Sequence, residues 1–234
     1  MFRRGLDRAA YENIDVRSKV AEELRRKCVT KTRARVLDLC SGVGMSTRAL
    51  TSAFNDAELV LGIDSSPEMI QMARSITWND YRVSQLKGIV DKTRQKLTRS
   101  NIKNDDQTVP QYAQGNSEKT TLPSQSFDLV TIMYSFHEAP YLGRQLMLQE
   151  ARRILKHNGT LAVVDISTDY SPSPSMLAGE PYVLEYQKNI MRQMKTLQGF
   201  GDIKSKEYHT IVPGHVGMWL FTRKVRKGKR VWSM

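Results

Sequence analysis

Two carboxylates and a pair of glycines give the first chemical signal in this chain. Asp38 opens the run Asp38-Leu39-Cys40-Ser41-Gly42-Val43-Gly44, and Asp64 closes an apolar run 26 residues further on. Glycine lets a backbone approach a ligand with no Cβ in the way. An acid at the end of the following strand can accept both hydroxyls of a ribose. Dinucleotide enzymes use the same logic. Their GxGxxG fingerprint needs a third glycine near position 47, where this chain has Thr47, and no Gly-Lys-Ser/Thr phosphate loop occurs. A cradled pyrophosphate is therefore disfavoured. A ligand that joins an adenosine to a charged amino-acid arm fits better, with Asp38 placed to orient the loop amides and the ammonium end of that arm.

The second signal is His137, in Tyr134-Ser135-Phe136-His137. An imidazole there could act as a general base, contributing about 10²–10⁴-fold where an acceptor must lose a proton. The rate would then rise through a pKa near the imidazole reference of about 6.5. The structural alternative is a histidine bonded to Glu138 or to a loop carbonyl. His209 and His215 are weaker candidates. Cys28 and Cys40 are too few for a disulfide framework, and Cys40 reads as a small buried filler rather than a nucleophile. A reducing compartment such as the cytoplasm is the expectation, or an organelle if a targeting segment lies outside this chain. With no Cys/His cluster at ligand spacing, no metal is expected.

These residues need strands and helices to position them. Residues 9–28 read as a helix, with Ile14, Val20, Leu24 and Cys28 on one stripe. Residues 35–39 read as a short buried strand running into the glycine loop, followed by a helix. Residues 58–63 form a second strand, and a helix starts at Pro67, a residue suited to a first helical turn. Strands follow at 109–114, 127–133 and 159–166. A helix over 143–156 separates the last two and ends in a turn at His157-Asn158-Gly159. Another helix lies near 182–198, with Tyr186, Ile190, Met194 and Leu197 at helical spacing. Two strands close the chain around Pro213-Gly214. Alternating strands and helices imply an α/β fold with a parallel sheet covered on both faces. No run of 18 apolar residues occurs, so a membrane-spanning helix is not expected.

The charge is unevenly spread. The 234-residue chain carries a formal net charge of +12. Residues 1–35, 82–103 and 223–230 each carry +6, and the remainder carries −6. The body is thus mildly acidic, and the excess sits in an arm, an internal segment and a tail. Solvated peripheral charge is the plain reading; a patch for nucleic acid or anionic lipid is the sharper one. Within 78–108, Val83, Leu86, Val90 and Leu97 recur at helical intervals. That pattern fits an amphipathic helix, either packed on the domain or lying against a membrane surface.

Four stretches in order, VLDLCSGVG, LGIDSSPEMI, GNSEKTTLPSQSFDLV and EARRILKHNGTLAVVDIS, resemble the successive motifs of class I S-adenosylmethionine-dependent methyltransferases. The similarity is to the small-molecule type 11, quinone-biosynthesis-like group, and covers roughly residues 34–168. It implies a doubly wound, mostly parallel seven-stranded sheet with an antiparallel C-terminal strand pair. It divides the chain into an N-terminal helical arm (1–34), a methyltransferase domain (35–225) with a basic helical insertion (78–108), and a basic tail (226–234). By the same resemblance the loop from Asp38 through Cys40, Ser41 and Gly42 to Gly44 holds the methionine moiety of S-adenosylmethionine. Asp64 takes the ribose, Ser65 and Met69 line the adenine, and Asn116 and Ser117 meet its edge. Tyr134 and the residues up to His137 lie beside the sulfonium. Two positions depart from the pattern. Cys40 stands where the family has a glycine, so its backbone is expected to avoid positive φ. Asn116 stands where an acid is usual, though its amide oxygen can still accept from the adenine amino group.

The implied reaction is methyl transfer to a small-molecule acceptor by in-line displacement, with residues 170–198 as the acceptor wall. The acceptor itself stays open among a phenol or quinol, a carboxylate and a sulfur compound. Peripheral membrane contact also stays open. A nucleic-acid methyltransferase is disfavoured, because base-amine enzymes usually carry Asn/Asp-Pro-Pro-aromatic where this chain has Tyr134-Ser135-Phe136-His137. A non-catalytic subunit built on a cofactor fold is the third alternative; binding of the cofactor by the isolated chain discriminates against it.

Overall fold

Helix α1, Val16–Lys27, shows how the local sequence sets the architecture. Asp15 caps it by accepting from the Ser18 amide at 3.1 Å. Val16, Val20, Ala21 and Leu24 form its buried stripe, and Arg25, Arg26 and Lys27 fill the last turn, where cations favour the helix dipole. A computed structural model describes residues 15–29, 31–95, 108–200 and 206–224, by backbone alone at residues 81 and 206 and over 83–95. The helix expected over 9–28 is seen from Val16. Ile14 with the rest of residues 1–14, residues 96–107 of the basic segment, and the tail 226–234 lie outside the described residues.

The chain divides into two compact units, Met1–Asn116 and Ser117–Met234. In the first, β1 (Arg35–Leu39) leads to α2 (Met45–Ala53), β2 (Leu59–Asp64), α3 (Pro67–Gln95) and β3 (Gln111–Gln114). β1 pairs parallel with β2 and β2 parallel with β3. Residues 78–95 of the basic segment are a continuation of α3 rather than a separate helix. In the second unit, β4 (Phe127–Met133) leads to α4 (Tyr141–Ile154), β5 (Leu155–Ile166), α5 (Pro174–Gly179), α6 (Val183–Lys195), β6 (Lys206–Val212) and β7 (Val216–Thr222). β4 and β5 are parallel, and β7 is antiparallel to both β5 and β6. The sheet has seven strands in the order β3-β2-β1-β4-β5-β7-β6. The α/β, mostly parallel sheet with an antiparallel C-terminal pair is the one the sequence implies. β1, β4 and most of β5 are continuous buried runs, as strands covered on both faces must be.

One boundary differs. α4 stops at Ile154 and β5 begins at once with Leu155, so the expected turn at 157–159 lies inside the strand. Leu155 pairs with Phe127, the register then shifts before Leu129, and Asn158 takes φ +62° to absorb the irregularity. Lys156 Nζ meets Asp128 Oδ2 at 3.0 Å across the two strands. α6 likewise ends at Lys195, three residues short of the expected end, but buries Tyr186, Ile190 and Met194 as the spacing requires.

Candidate functional site

The loop after β1 is wound by left-handed residues. Cys40, Gly42 and Gly44 have φ of +57°, +52° and +75°. The expectation that Cys40 avoids positive φ is thus wrong. A non-glycine there costs roughly 1–2 kcal/mol, and hydrogen bonds on either side hold it: the Ser41 amide donates to Ile63 O at 2.9 Å, and the Gly44 amide to Ser41 O at 2.9 Å. Gly44 is required twice over, because a Cβ would stand 2.5 Å from the Tyr112 hydroxyl.

Asp64, half-buried, ties the loop to β2. Its Oδ2 accepts from the Gly42 amide at 2.8 Å and its Oδ1 from the Ser66 amide at 3.0 Å. Asp38, expected to orient the loop amides, is fully buried and accepts from Thr47 Oγ1 at 2.7 Å. Thr47 thus anchors the acid from the position where a dinucleotide fingerprint has glycine. Ser41 Oγ is buried and has no hydrogen-bond partner among the described residues. A buried hydroxyl left in this state on a glycine-wound loop suits a polar ligand. Ser65 is exposed and Met69 half-buried at the start of α3. Asn116 is exposed at the end of the first unit, and Ser117 is buried at the start of the second.

In the second unit, Tyr134 leaves β4 with φ +59°, its amide donating to Val164 O at 2.8 Å. The segment that follows is clamped from two sides. Asp165, at the end of β5, accepts from the Phe136 amide at 2.7 Å and the His137 amide at 3.3 Å. The guanidinium of Arg144, fully buried, donates to the Phe136 and Ala139 carbonyls at 3.4 and 2.5 Å, and to Gln193 and Glu185 on α6.

His137 is buried within this clamp. Nδ1 meets Asp165 Oδ1 at 2.5 Å. Nε2 faces Glu180 Oε2 at 3.4 Å and Glu138 Oε1 at 3.8 Å. Tyr186 lies edge-on to the ring at 6.4 Å and donates its hydroxyl to Ile166 O at 2.7 Å. Burial alone would lower the imidazole pKa, but the charge and hydrogen bond of Asp165, with Glu180 and Glu138 behind them, outweigh it and raise the pKa to about 9. The expected value near 6.5 is therefore displaced upward, and His137 rests as an imidazolium at neutral pH. His209 pairs with Glu207 at 3.1 Å on β6, and His215 is exposed in the β6–β7 turn beside Tyr170; neither joins this cluster.

Asp165, Arg144 and Glu180 were not singled out in the sequence. Asp165 could have been, since AVVDI repeats the strand-final acid of LGID. Arg144 and Glu180 carry no such local mark.

Comparison with known proteins agrees with this geometry. A family model described as a methyltransferase domain matches residues 37–163. The demethylmenaquinone methyltransferase of Lactococcus lactis is 30% identical over 157 residues, 67% of this chain and 49% of that protein. The uncharacterized methyltransferase YcgJ of Bacillus subtilis is 26% identical over 143 residues, 61% of this chain and 44% of that protein. The chain thus spans about half the length of these curated relatives. Phosphoethanolamine N-methyltransferase 2 of Haemonchus contortus, solved with S-adenosyl-L-methionine, shares the fold at a TM-score of 0.63 and 15% identity, covering 92% of this chain and 54% of that one. The chain belongs to the methyltransferase-domain family, in its type 11 group.

Proposed function

We propose that this chain transfers the methyl group of S-adenosylmethionine to a protic small-molecule acceptor, releasing S-adenosylhomocysteine. The observation that carries the acceptor class is the buried His137–Asp165 pair, with the 170–198 region as the acceptor wall. Leu142, Leu177, Tyr182 and Leu184 are exposed, and three of them flank Glu180 in the chain.

The fit of the cofactor rests on Ser41, whose buried hydroxyl lacks a partner among the described residues, and on the glycine loop that admits close backbone approach. When bound, S-adenosylmethionine supplies a methyl group on a positively charged sulfur. Ser41 Oγ, on the closely approachable glycine loop, would hold the amino-acid arm, Asp64 the ribose, and Ser65, Met69, Asn116, Ser117 and Tyr134 the positions the family gives them. Such positioning can supply up to roughly 7–11 kcal/mol of the barrier.

His137 would hold the acceptor and take its proton. Only the neutral imidazole can accept, and its share at neutral pH is small with a pKa of about 9. Single-turnover rates on a phenolic or quinol acceptor should climb about tenfold per pH unit toward pH 9. His137→Gln should lose that climb and about 10²–10⁴-fold in rate while keeping cofactor affinity. An unchanged rate and profile in the variant would remove His137 from the chemistry. The acceptor is found by incubating metabolite extracts with labelled S-adenosylmethionine and reading which compound gains the methyl. Label appearing only in RNA or DNA would overturn the small-molecule reading.

A further inference from the structure

His137 has one nitrogen to offer an acceptor. Nδ1 is taken by Asp165 at 2.5 Å, and Asp165 is itself fixed by the amides of Phe136, His137 and Ile166. Nε2 is already occupied too. Glu180 Oε2 stands 3.4 Å from it, an ion pair in a site where only 7% of the histidine side chain is exposed. An oxygen brought within about 2.6–3.2 Å of Nε2, as proton exchange requires, competes with that carboxylate for it.

The carboxylate is held by charge rather than by fit. Glu180 Oε2 is buried and has no hydrogen-bond partner among the described residues. A charge-assisted hydrogen bond is the stronger form of such a pair, so an oxygen that completes the bond to Nε2 displaces one that does not. The element that carries Glu180 leaves it room to move. α5 buries none of its six residues, and the Glu180 amide donates back into that helix, to Met176 O at 2.8 Å. A segment with few buried contacts opens at low free energy. The other groups around the ring are committed. Glu138 faces Nε2 from 3.8 Å with a side chain 62% exposed. Tyr186 on α6 gives its hydroxyl to Ile166 O, and Arg144 on α4 serves the Phe136 and Ala139 carbonyls and Glu185.

We propose that Glu180 is a positioning residue for methyl transfer: its carboxylate holds the place on Nε2 that an ionised acceptor oxygen, that of a phenol or quinol, takes during turnover. The assignment rests on the methyl-transfer reading and narrows its acceptor. The exchange replaces one anion by another, so the imidazolium keeps a counter-charge throughout. An ionised acceptor on imidazolium and a neutral one on imidazole hold the same protons, and differ only in where the shared proton sits. The acceptor's lone pair forms the new O–C bond, the C–S electron pair returns to sulfur, and the proton stays on Nε2. An aliphatic alcohol, too weakly acidic to ionise beside an imidazolium, cannot take the carboxylate's place.

The test uses the full chain and para-nitrophenol, whose visible absorption reports its ionised form. Glu180→Gln removes a carboxylate oxygen that makes no hydrogen bond, so the fold should persist. At neutral pH it should bind the phenolate about tenfold more tightly than wild type, because the competing occupant of Nε2 is gone. His137→Gln should not bind it. An NMR titration of the His137 ring should find the pKa near 9 in wild type and about one pH unit or more lower in Glu180→Gln. Glu138→Gln should move it less, since water screens that exposed charge. Absent, weaker or unchanged phenolate binding in folded Glu180→Gln, binding that survives His137→Gln, or an unmoved titration each overturns the role. S-adenosylhomocysteine binding on the same preparations separates the two readings. Cofactor bound with phenolate affinity unchanged in Glu180→Gln sinks the role of Glu180 alone. Cofactor not bound by wild type sinks the methyl-transfer reading, and the role of Glu180 in it, whatever the phenolate does.

Discussion

Asp64 does more than meet a ribose. Its two oxygens already receive the Gly42 and Ser66 amides, so it shapes the loop that would hold the cofactor's other end. Asp64→Ala should therefore weaken S-adenosylhomocysteine through both routes, by about 1.5–3 kcal/mol for hydrogen bonds to a charged acceptor. Calorimetry giving equal affinities for wild type and variant would remove the role. His137 makes a second prediction at this scale. Its folded pKa of about 9 lies above the unfolded value of about 6.5. A raised pKa means the folded state binds the proton more tightly. The stabilisation is full below pH 6.5 and is lost as pH rises through 9. It should be on the order of 3 kcal/mol. Denaturant midpoints at pH 6 and pH 9.5 should differ in wild type by clearly more than in His137→Gln.

At the scale of elements, Arg144 joins α4 to the segment after β4 and to α6. It is fully buried and serves two loop carbonyls, Gln193 and Glu185. Arg144→Met would fill most of its volume but strand those carbonyls and the partly buried Glu185 carboxylate. Breaking one side of such a buried pair costs about 3–5 kcal/mol. Urea denaturation should show a loss in that range, and a loss under 1 kcal/mol would mean water replaces the guanidinium. Gly44→Ala tests the other loop. The new methyl meets the Tyr112 ring and hydroxyl at 2.5–2.8 Å in a backbone that disfavours any side chain. It should destabilise the chain by more than 1 kcal/mol and lower cofactor affinity, both read by calorimetry.

Across the whole molecule, the question is whether the basic segments serve the reaction. The chain outside them is net acidic, and among the described residues no helix is long and apolar enough to cross a membrane. Deleting residues 226–234 should leave turnover of a small acceptor within about twofold, since terminal segments seldom hold a fold together. A collapse of turnover with the circular dichroism spectrum preserved would shift weight to a nucleic-acid or membrane partner, as would loss of activity between low and physiological salt.

The sequence by itself determined what is local. The strand-loop-helix around Asp38–Gly44, the strand-final Asp64 and the terminal strand pair each lie within a short run whose periodicity and turn residues decide their conformation. Cys40 marks the limit of that reasoning: residue type argued against a left-handed backbone, and the amides of Ser41 and Gly44, bonded to Ile63 and within the loop, imposed one. The helix end at Ile154 was likewise set by pairing with Phe127, which no local turn signal records. The cluster at His137 is the larger case. His137, Asp165 and Glu180 come from the ends of β4 and β5 and from the end of α5, 28 and 43 residues from the histidine. No spacing rule connects them, because a parallel crossover sets which strand ends meet but leaves loop lengths free. Only the tertiary structure could raise the histidine's pKa, lock its ring and pair its second nitrogen with the carboxylates of Glu180 and Glu138.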